Sequence, residues 1–582
     1  MLRLQVTDQE LGHAIVTKRR GWLILVGLAI VLAGALLAQS IRTADGTTVR
    51  DIRFAGTNGT VMSALLYIPK NATAATPAPG ILAVHGYINS RETQDGFAIE
   101  FARRGYVVLS LDQTGHGYSQ GAAFSNGFGG PDGLRYLRSL PMVNTRQIGL
   151  EGHSMGGWTV LAAAAAMPKA YTSMVLEGSS TGAPFAQEGS PTWPRNVGIV
   201  FSRFDEFSNL MWGVARAKDV ASSSKLQSVF GTQAPVVENR LYGSIKDGTA
   251  RKLYQPNTTH PGDHISTAAI GNAIEWFGAT LVGGTPRPAS DQIWYWKEVG
   301  TGVGLIGFVM IMLGTFDALV RLPFFASLHA VSIPAGAFRD GAWWKGFALN
   351  TGLPALLFFP TFIAAYLLLL LLLPASQWLP QAVTTQITLW ALTSAGLSLL
   401  IGRFMRRPAG THQSDWFKSI LLAVATVAAG YVALLLVDQL FQTDFRFWVV
   451  AVKLPSFSQW GIAAIYVVPL TLAFLVTTRS LASATVRGDT AGLRYIAAIL
   501  TLTTGFILML AAIYGVLFMT GSLVTAFDPL STVIAIQFVP VLIAVAIIAI
   551  FTWRRTGSHR LGGLIAGILV TLYAVAGTAT QI

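Results

Sequence analysis

Residues 147–158 read QIGLEGHSMGGW, a short apolar run with β character that meets a helical pattern at Ser154. The pattern G-x-S-x-G spans Gly152 to Gly156. Between a strand and a helix, this pattern predicts a turn so tight that only small residues fit at the two glycines, and the serine hydroxyl stands above the sheet. The N–H of Met155 then faces the place where an oxyanion forms. We therefore predict that Ser154 is a nucleophile.

An isolated G-x-S-x-G also occurs in helix-capping turns. The surrounding pattern argues against that alternative, because β-rich runs alternate with helical patterns as in a mostly parallel sheet flanked by helices. The predicted strands are Val49–Phe54, Thr60–Ile68, Gly80–Val84, Tyr106–Leu111, Gln147–Glu151, Tyr171–Leu176, Val197–Ser202 and Leu253–Gln255. The predicted helices are Phe97–Arg104, Asp132–Leu140, Trp158–Met167 and Thr267–Leu281.

Several pieces of this region resemble the α/β-hydrolase superfamily, most closely its esterase, dienelactone-hydrolase-like and serine-aminopeptidase-like branches. Besides the serine turn, they are His85-Gly86-Tyr87, the run DQTGHGYS over residues 112–119, and Arg203-Phe204-Asp205-Glu206. The resemblance covers Thr48 to about Leu281, under half of the chain. It implies an α/β-hydrolase fold and serine hydrolase activity, with the catalytic residues in the chain order Ser, acid, His.

Two histidines of this region follow Ser154, and they share one loop: His260 and His264. The loop lies between the last predicted strand and the closing helix, where a general base must sit to reach the nucleophile. By resemblance we favour His260, because it lies nearest the strand end. His264 is the alternative base.

The acid must orient the base and stabilise its imidazolium form. Asp205 follows the strand Val197–Ser202 and occupies the position that resembles the acid of the family. Glu206 and Glu177 are the alternative acids, the second at the end of the preceding strand. By the same resemblance, the oxyanion hole pairs the N–H of Met155 with the N–H of Tyr87.

The composition separates this region from the rest of the chain. Of the 582 residues, 52% are hydrophobic and only 12% are charged, too apolar for an ordinary soluble enzyme. From Val299 onward, long uncharged runs dominate, and a run of about 18 residues is long enough to cross a bilayer as a helix. Cysteine is absent, which excludes disulfides, zinc–thiolate sites and thiol nucleophiles. No metal or cofactor is predicted.

Membrane spans are predicted near Trp22–Ala38, Val299–Val320, Phe347–Leu373, Ile387–Ile401, Ile420–Leu440, Trp460–Val476, Tyr495–Thr520, Val533–Phe551 and Leu561–Ala576. They divide the chain into a cytoplasmic tail (1–21), an anchor helix (22–40), an extracytoplasmic α/β-hydrolase domain (41–285), a linker (286–298) and an all-α bundle of about eight transmembrane helices (299–582).

The charge distribution predicts the orientation of these spans. Lys18, Arg19 and Arg20 precede the first span, which places the N-terminus in the cytoplasm. With alternating spans, the short outer loops of the bundle hold only Arg446 and Lys453, whereas the cytoplasmic segments hold 17 basic residues. The net charge of +13 thus reflects membrane orientation, and no nucleic-acid partner is predicted.

Together these features predict a membrane-embedded serine hydrolase that cleaves carboxylic esters, including lipid-like esters and thioesters. A small-molecule or lipid-like acyl substrate and the lipid bilayer are its expected partners. A serine peptidase or an acyltransferase is the alternative among enzymes. A membrane transporter or sensor with a ligand-binding hydrolase-like domain is the alternative from another class. The identity of the substrate and the oligomeric state are left open.

Overall fold

The computed structural model describes residues 21–330, 338–404, 414–483 and 486–582. The basic residues Lys18, Arg19 and Arg20, on which the predicted orientation of the first span depends, lie outside this part of the chain.

An eight-stranded sheet forms the centre of the first half of the chain, which we call the α/β domain (residues 48–281). The strands are β1 Thr48–Ala55, β2 Val61–Ile68, β3 Ala78–Val84, β4 Val107–Leu111, β5 Val143–His153, β6 Ser173–Glu177, β7 Val197–Val200 and β8 Arg251–Tyr254. Their order in the sheet is β1-β2-β4-β3-β5-β6-β7-β8; β2 runs antiparallel to both of its neighbours, β1 and β4, and the pairs from β4 to β8 are all parallel. This arrangement confirms the predicted α/β-hydrolase fold.

Helices cover both faces of the sheet, because alternate side chains of each strand point to opposite faces. Within β3, Leu82 and Val84 belong to one hydrophobic core, and Ile81 and Ala83 belong to the other. After the anchor helix α1 (Trp22–Arg42), the helices of the α/β domain are α2 Asp95–Arg103, α3 Gly130–Ser139, α4 Met155–Ala166, α5 Ser208–Trp212, α6 Ser224–Phe230 and α7 Thr267–Thr280. The first core also contains side chains of α3 and α4, and the second contains side chains of α2 and α7.

Among the described residues, nine helices are long and apolar enough to cross a membrane, and each predicted span overlaps one of them. Besides α1, they are α8 Trp294–Val320, α9 Gly341–Leu371, α10 Ala382–Phe404, α11 Trp416–Phe441, α12 Phe457–Ser483, α13 Ala491–Thr520, α14 Pro529–Thr556 and α15 His559–Gly577. These helices indicate a multi-pass membrane protein whose second half is a helical bundle. Helix α8 begins inside the segment predicted as a linker, 286–298.

The anchor helix α1 packs closely on α8 through small residues. A Cβ on Gly34 would overlap the carbonyl oxygen of Gly300, and a Cβ on Gly307 would lie 2.8 Å from the carbonyl oxygen of Gly27. Small residues let the backbones of membrane helices approach each other in this way. Because α1 enters the α/β domain and α8 leaves it, one tightly packed helix pair holds the domain at both of its ends.

Buried charges fix the α/β domain to the bundle. Asp95, on α2, lies 3.0 Å from Nζ of Lys297 on α8 and 3.7 Å from Nε of Arg42 at the end of α1. The Arg42 guanidinium also donates to the carbonyl oxygens of Phe441 and Gln442, at 2.8 and 2.9 Å. Since an unpaired buried charge is strongly destabilising, this cluster favours one relative placement of domain and bundle.

Two further segments of the bundle reach into the α/β domain. A short hairpin between α11 and α12, formed by β9 (Phe445–Phe447) and β10 (Val450–Val452), presents Trp448 at its tip, and the indole N–H donates to Pro261 O at 2.6 Å. The C-terminal segment pairs with the domain through Thr580, whose N–H donates to Gly115 O at 2.8 Å. The α/β domain thus rests on the end of the bundle.

Candidate active site

The turn between β5 and α4 is the sharpest feature of the site. Ser154 has φ 55° and ψ −122°, a backbone conformation that is costly for a residue with a side chain. A Cβ on Gly152 would overlap Gly156 O, and a Cβ on Gly156 would overlap Val84 O. These two glycines therefore allow the turn, which places Ser154 at the N-terminus of α4, as the motif predicted.

Asp205 and His260 meet although 55 residues separate them in the sequence. His260 Nδ1 lies 2.8 Å from Oδ2 of Asp205, and Oδ1 of the same carboxylate accepts the Phe207 N–H at 2.8 Å. A Cβ on Gly178 would lie 2.8 Å from His260 Nδ1, so this glycine leaves room for the pair. The strand β7 ends at Val200, and Asp205 is presented by the loop beyond it.

The electrostatics of this pair suit a general base. Burial lowers the pKa of His260 to about 4, so the imidazole is neutral at pH 7 and can accept a proton. Burial raises the pKa of Asp205 above its ordinary value, whereas the bond from Phe207 N–H favours the carboxylate. Ser154 and His260 line the same cavity, and no hydrogen bond joins them within the described residues. Such bonds are often loose before substrate binds.

His264, the alternative base, lies in the same cavity without a carboxylate partner. Its ring packs 4.1 Å from the ring of His153 and 6.1 Å from that of Phe97. Neither ring nitrogen has a hydrogen-bond partner among the residues described. Burial and the neighbouring histidines hold the pKa of His264 well below its ordinary value. Without an orienting carboxylate, His264 fits the role of base less well than His260 does.

The two alternative acids are both buried and both lie away from the His260 ring. Glu206 accepts the backbone N–H of His260 at 2.8 Å and the hydroxyl of Tyr514, on helix α13, at 2.6 Å. Burial, together with the charge of Asp205, raises the pKa of Glu206 to about 8. The carboxylate of Glu177 has no hydrogen-bond partner in the described part of the chain, and burial raises its pKa well above the ordinary range. Asp205 is the only one of the three carboxylates that bonds to the ring of His260.

The predicted oxyanion donors stand on either side of the nucleophile. Tyr87 follows β3, Met155 begins α4, and both residues line the cavity that contains Ser154. A Cβ on Gly86 would lie 3.1 Å from the Ser154 Cβ, so the loop that carries Tyr87 passes close to the serine. Both residues therefore border the cavity beside the serine, where an oxyanion would need its donors.

The cavity around Ser154 has a volume of about 300 Å³ and is shared by the α/β domain and the bundle. Phe207, Leu210 and Met211 form part of its wall on the side of the α/β domain. The bundle contributes the hairpin tip, the loop between α13 and α14, and the first turns of α14. These residues are Trp448, Val449, Phe527, Asp528, Pro529, Leu530, Val533 and Gln537.

The contributions of the bundle were not predicted from the sequence. An aromatic side chain in a short outer loop, such as Trp448, indicates a membrane–water interface, but the sequence does not indicate which groups the side chain contacts. Tyr514 and Gln537 lie in apolar helices. Nothing in the sequence around them, apart from their own polar side chains, indicates a contact with the α/β domain or its cavity. Among the described residues, no group of three or more His, Cys, Asp or Glu could hold a metal ion.

Comparison with known proteins finds a family match for part of the α/β domain. A family model described as serine aminopeptidase, S33, matches residues 75–205, which confirms the resemblance for that part of the chain. A comparison with curated proteins finds no match.

Similar solved structures include a hypothetical protein from Pseudomonas aeruginosa, with 28% identity over 24% of this chain and 44% of that one, at a TM-score of 0.21. An esterase from Pyrococcus furiosus is 15% identical over 40% of this chain and 92% of its own, with a TM-score of 0.30. A dienelactone hydrolase-like promiscuous phosphotriesterase from metagenomic libraries is 14% identical over 41% of this chain and 99% of its own, also with a TM-score of 0.30. The chain spans less than half the length of the first of these proteins.

Proposed function

The chain is an α/β hydrolase fused to a bundle of apolar helices, and we propose that it is a serine hydrolase that cleaves ester bonds through an acyl-Ser154 intermediate. One observation carries the proposal: Ser154, on its strained turn, and His260 line the same cavity, and His260 Nδ1 lies 2.8 Å from the Asp205 carboxylate behind it. A nucleophile, a base and an orienting acid at one site are the elements of acyl transfer.

In the proposed reaction, Ser154 Oγ attacks the ester carbonyl carbon while Nε2 of His260 accepts the hydroxyl proton. The N–H groups of Tyr87 and Met155 stabilise the oxyanion. Collapse of the intermediate breaks the bond to the alcohol oxygen, which takes the proton from His260. Water then attacks the acyl group, passes a proton to His260, and the acid leaves as Ser154 recovers its proton. Asp205 stabilises the imidazolium in both halves of the cycle.

The proposed substrate is lipid-like. The cavity is lined mainly by apolar side chains and lies where the α/β domain meets the helices that cross the membrane. An ester group with a hydrocarbon chain can present its carbonyl to Ser154 while its chain stays among apolar groups. The bilayer is then both the support of the enzyme and the source of its substrate.

Labelling of the full-length protein with a fluorophosphonate, followed by a panel of esters, thioesters and aminoacyl amides, tests this function. We expect covalent labelling of Ser154 and turnover that is highest on esters, because Asp528 is the single carboxylate among the described residues that line this mainly apolar cavity. Turnover only on aminoacyl amides would identify a peptidase instead. Saturable binding of a panel compound with neither labelling nor turnover would support the sensor or transporter alternative.

We also propose that the α/β domain lies outside the cytoplasm. Helix α8 begins at Trp294, beside the domain, and ends at Val320, about 40 Å away along the helix axis. Near that far end, basic side chains pair with acids of the bundle: Arg321 with Asp317 at 3.1 Å, and Arg339 with Asp489 at 2.9 Å. Basic loops favour the cytoplasmic side, so the domain at the opposite end faces outward.

Protease accessibility in intact spheroplasts checks this orientation. One tag is inserted in the exposed turn near Ala74 of the α/β domain, and a second tag is inserted in the segment of the chain between α10 and α11. We expect cleavage at the first tag and protection of the second until the membrane is opened with detergent. The reverse pattern would place the domain in the cytoplasm and would move the substrate to the inner side of the membrane.

A further inference from the structure

A second cavity lies inside the bundle, between α8, α14 and α15, with a volume of about 360 Å³. Its lining is apolar along its whole length, apart from the phenol of Tyr573, and includes Leu305, Val309, Val541, Ala544 and Ile547. It opens toward the lipid, since Ile306 on its rim is 60% exposed. We call this cavity the bundle groove.

The bundle groove begins where the active-site cavity ends. On the hairpin, Val449 lines the active-site cavity and the next residue, Val450, lines the groove. On α14, Gln537 lines the first cavity and Pro540 lines the second, less than one helical turn further on. The side chain of Gln537 accepts the hydroxyl of Tyr573 at 2.5 Å, so a polar pair marks the boundary between the two.

The groove and the boundary at its start together match the depth of one leaflet. Residues 540–547 of α14, which line the groove, advance about 10 Å, and the path from Gln537 at the active-site cavity to Ile547 is about 15 Å. The hydrocarbon core of a bilayer is about 30 Å thick, so one leaflet contributes about 15 Å. A chain that enters from the lipid next to the α/β domain can therefore lie along the groove with its polar end at the active-site cavity.

We propose that the bundle groove holds the acyl chain of a lipid ester while Ser154 attacks the ester carbonyl. This inference rests on the proposed function and names its substrate class: a long-chain acyl ester that enters sideways from the bilayer. The membrane bundle thereby selects substrates by chain length, and the acyl group stays in the groove as the acyl-Ser154 intermediate until water releases the fatty acid.

The test compares two matched variants of the full-length protein in vesicles. Ala544→Phe fills the middle of the groove, about 22 Å from the start of α14. The control, Ala428→Phe, adds the same ring at an exposed position of α11, about 20 Å from the end of that helix. Both variants are assayed on a palmitoyl ester and on an acetyl ester of the same alcohol.

We expect Ala544→Phe to lower kcat/KM on the palmitoyl ester about tenfold or more, because the ring takes the space of the chain and the ester carbonyl is then no longer aligned with Ser154. Its acetyl ester activity and fluorophosphonate labelling should stay within about twofold of the wild-type values, and Ala428→Phe should leave both esters unaffected. An equal loss in the two variants, or an unchanged chain-length preference, would overturn the proposal. A preference for long chains only on the alcohol side would overturn the acyl assignment.

A direct measurement separates this proposal from the proposed function. A palmitoyl ester with a photoreactive diazirine in mid-chain is irradiated with the full-length Ser154→Ala variant in vesicles. We expect crosslinks on α8 and α14 that excess palmitoyl ester suppresses. Crosslinks spread evenly over the lipid-facing helices would refute the groove even if ester turnover is established. If neither fluorophosphonate labelling nor turnover is found on any ester, the proposed hydrolase activity is refuted. The crosslinks would still show whether the bundle groove binds an acyl chain.

Discussion

Replacing Ser154 by alanine is expected to abolish fluorophosphonate labelling and to lower ester turnover by a factor on the order of 10³ or more. The reason is that the acyl-enzyme cannot form without Oγ, and the remaining groups of the triad act only through that atom. The fold should survive, because alanine is smaller than serine and the strained φ of 55° is imposed by the surrounding backbone.

A matched control is Ser139→Ala, at the exposed end of α3, where the hydroxyl only donates to the Tyr136 carbonyl oxygen. Labelling intensity, initial rates on a short-chain ester and thermal unfolding would be measured for both variants. If Ser154→Ala is still labelled as strongly as Ser139→Ala, another residue is the nucleophile, and the assignment built on the serine turn is wrong.

His260→Ala is expected to reduce turnover as severely as Ser154→Ala, whereas His264→Ala should reduce it by no more than about tenfold. Only His260 carries an orienting carboxylate, and a triad residue removed alone costs nearly as much as the whole triad. Asp205→Asn should follow with a loss on the order of 10³ to 10⁴, since the amide favours the wrong tautomer of the ring.

Rates of the three variants at saturating ester, together with residual fluorophosphonate labelling, distinguish these roles. Glu206→Gln serves as the control for Asp205→Asn, because its carboxylate accepts the His260 backbone N–H and does not touch the ring. A more severe loss in His264→Ala than in His260→Ala would make His264 the base. A Glu206→Gln variant more damaged than Asp205→Asn would move the acid to Glu206.

The part of the site that the sequence predicted is the part encoded locally. The serine turn needs two glycines at fixed offsets, and its strand and helix are neighbours in the chain, so Gly152, Ser154 and Gly156 were readable together. The order of strands then placed Asp205 and the His260 loop at the same sheet edge, since carboxyl ends of parallel strands meet there. From the sequence, the preference for His260 over His264 depends on resemblance alone. In the structure, the contact of His260 with Asp205 favours the same residue.

The contribution of the bundle could not be read in the same way. Tyr514 bonds to Glu206 across 308 residues, and nothing local in an apolar helix signals a partner so far away. The same holds for Trp448, which meets Pro261 through a contact 187 residues apart. Hydropathy reports that a helix crosses a membrane, but it carries little information on which helices are neighbours or what their ends touch.

The bond between Tyr514 and Glu206 bears on whether the two halves of the chain are separable modules. Glu206 accepts both the backbone N–H of His260 and the hydroxyl of Tyr514. The position of His260 therefore depends on helix α13 of the bundle as well as on the sheet. An α/β domain produced alone would lose the hydrogen bond from Tyr514 and the part of the cavity wall that the bundle supplies. On the proposed function, the catalytic unit is therefore the whole chain in its membrane. A change in bilayer thickness that tilts α13 would reach His260, the proposed base, through two hydrogen bonds.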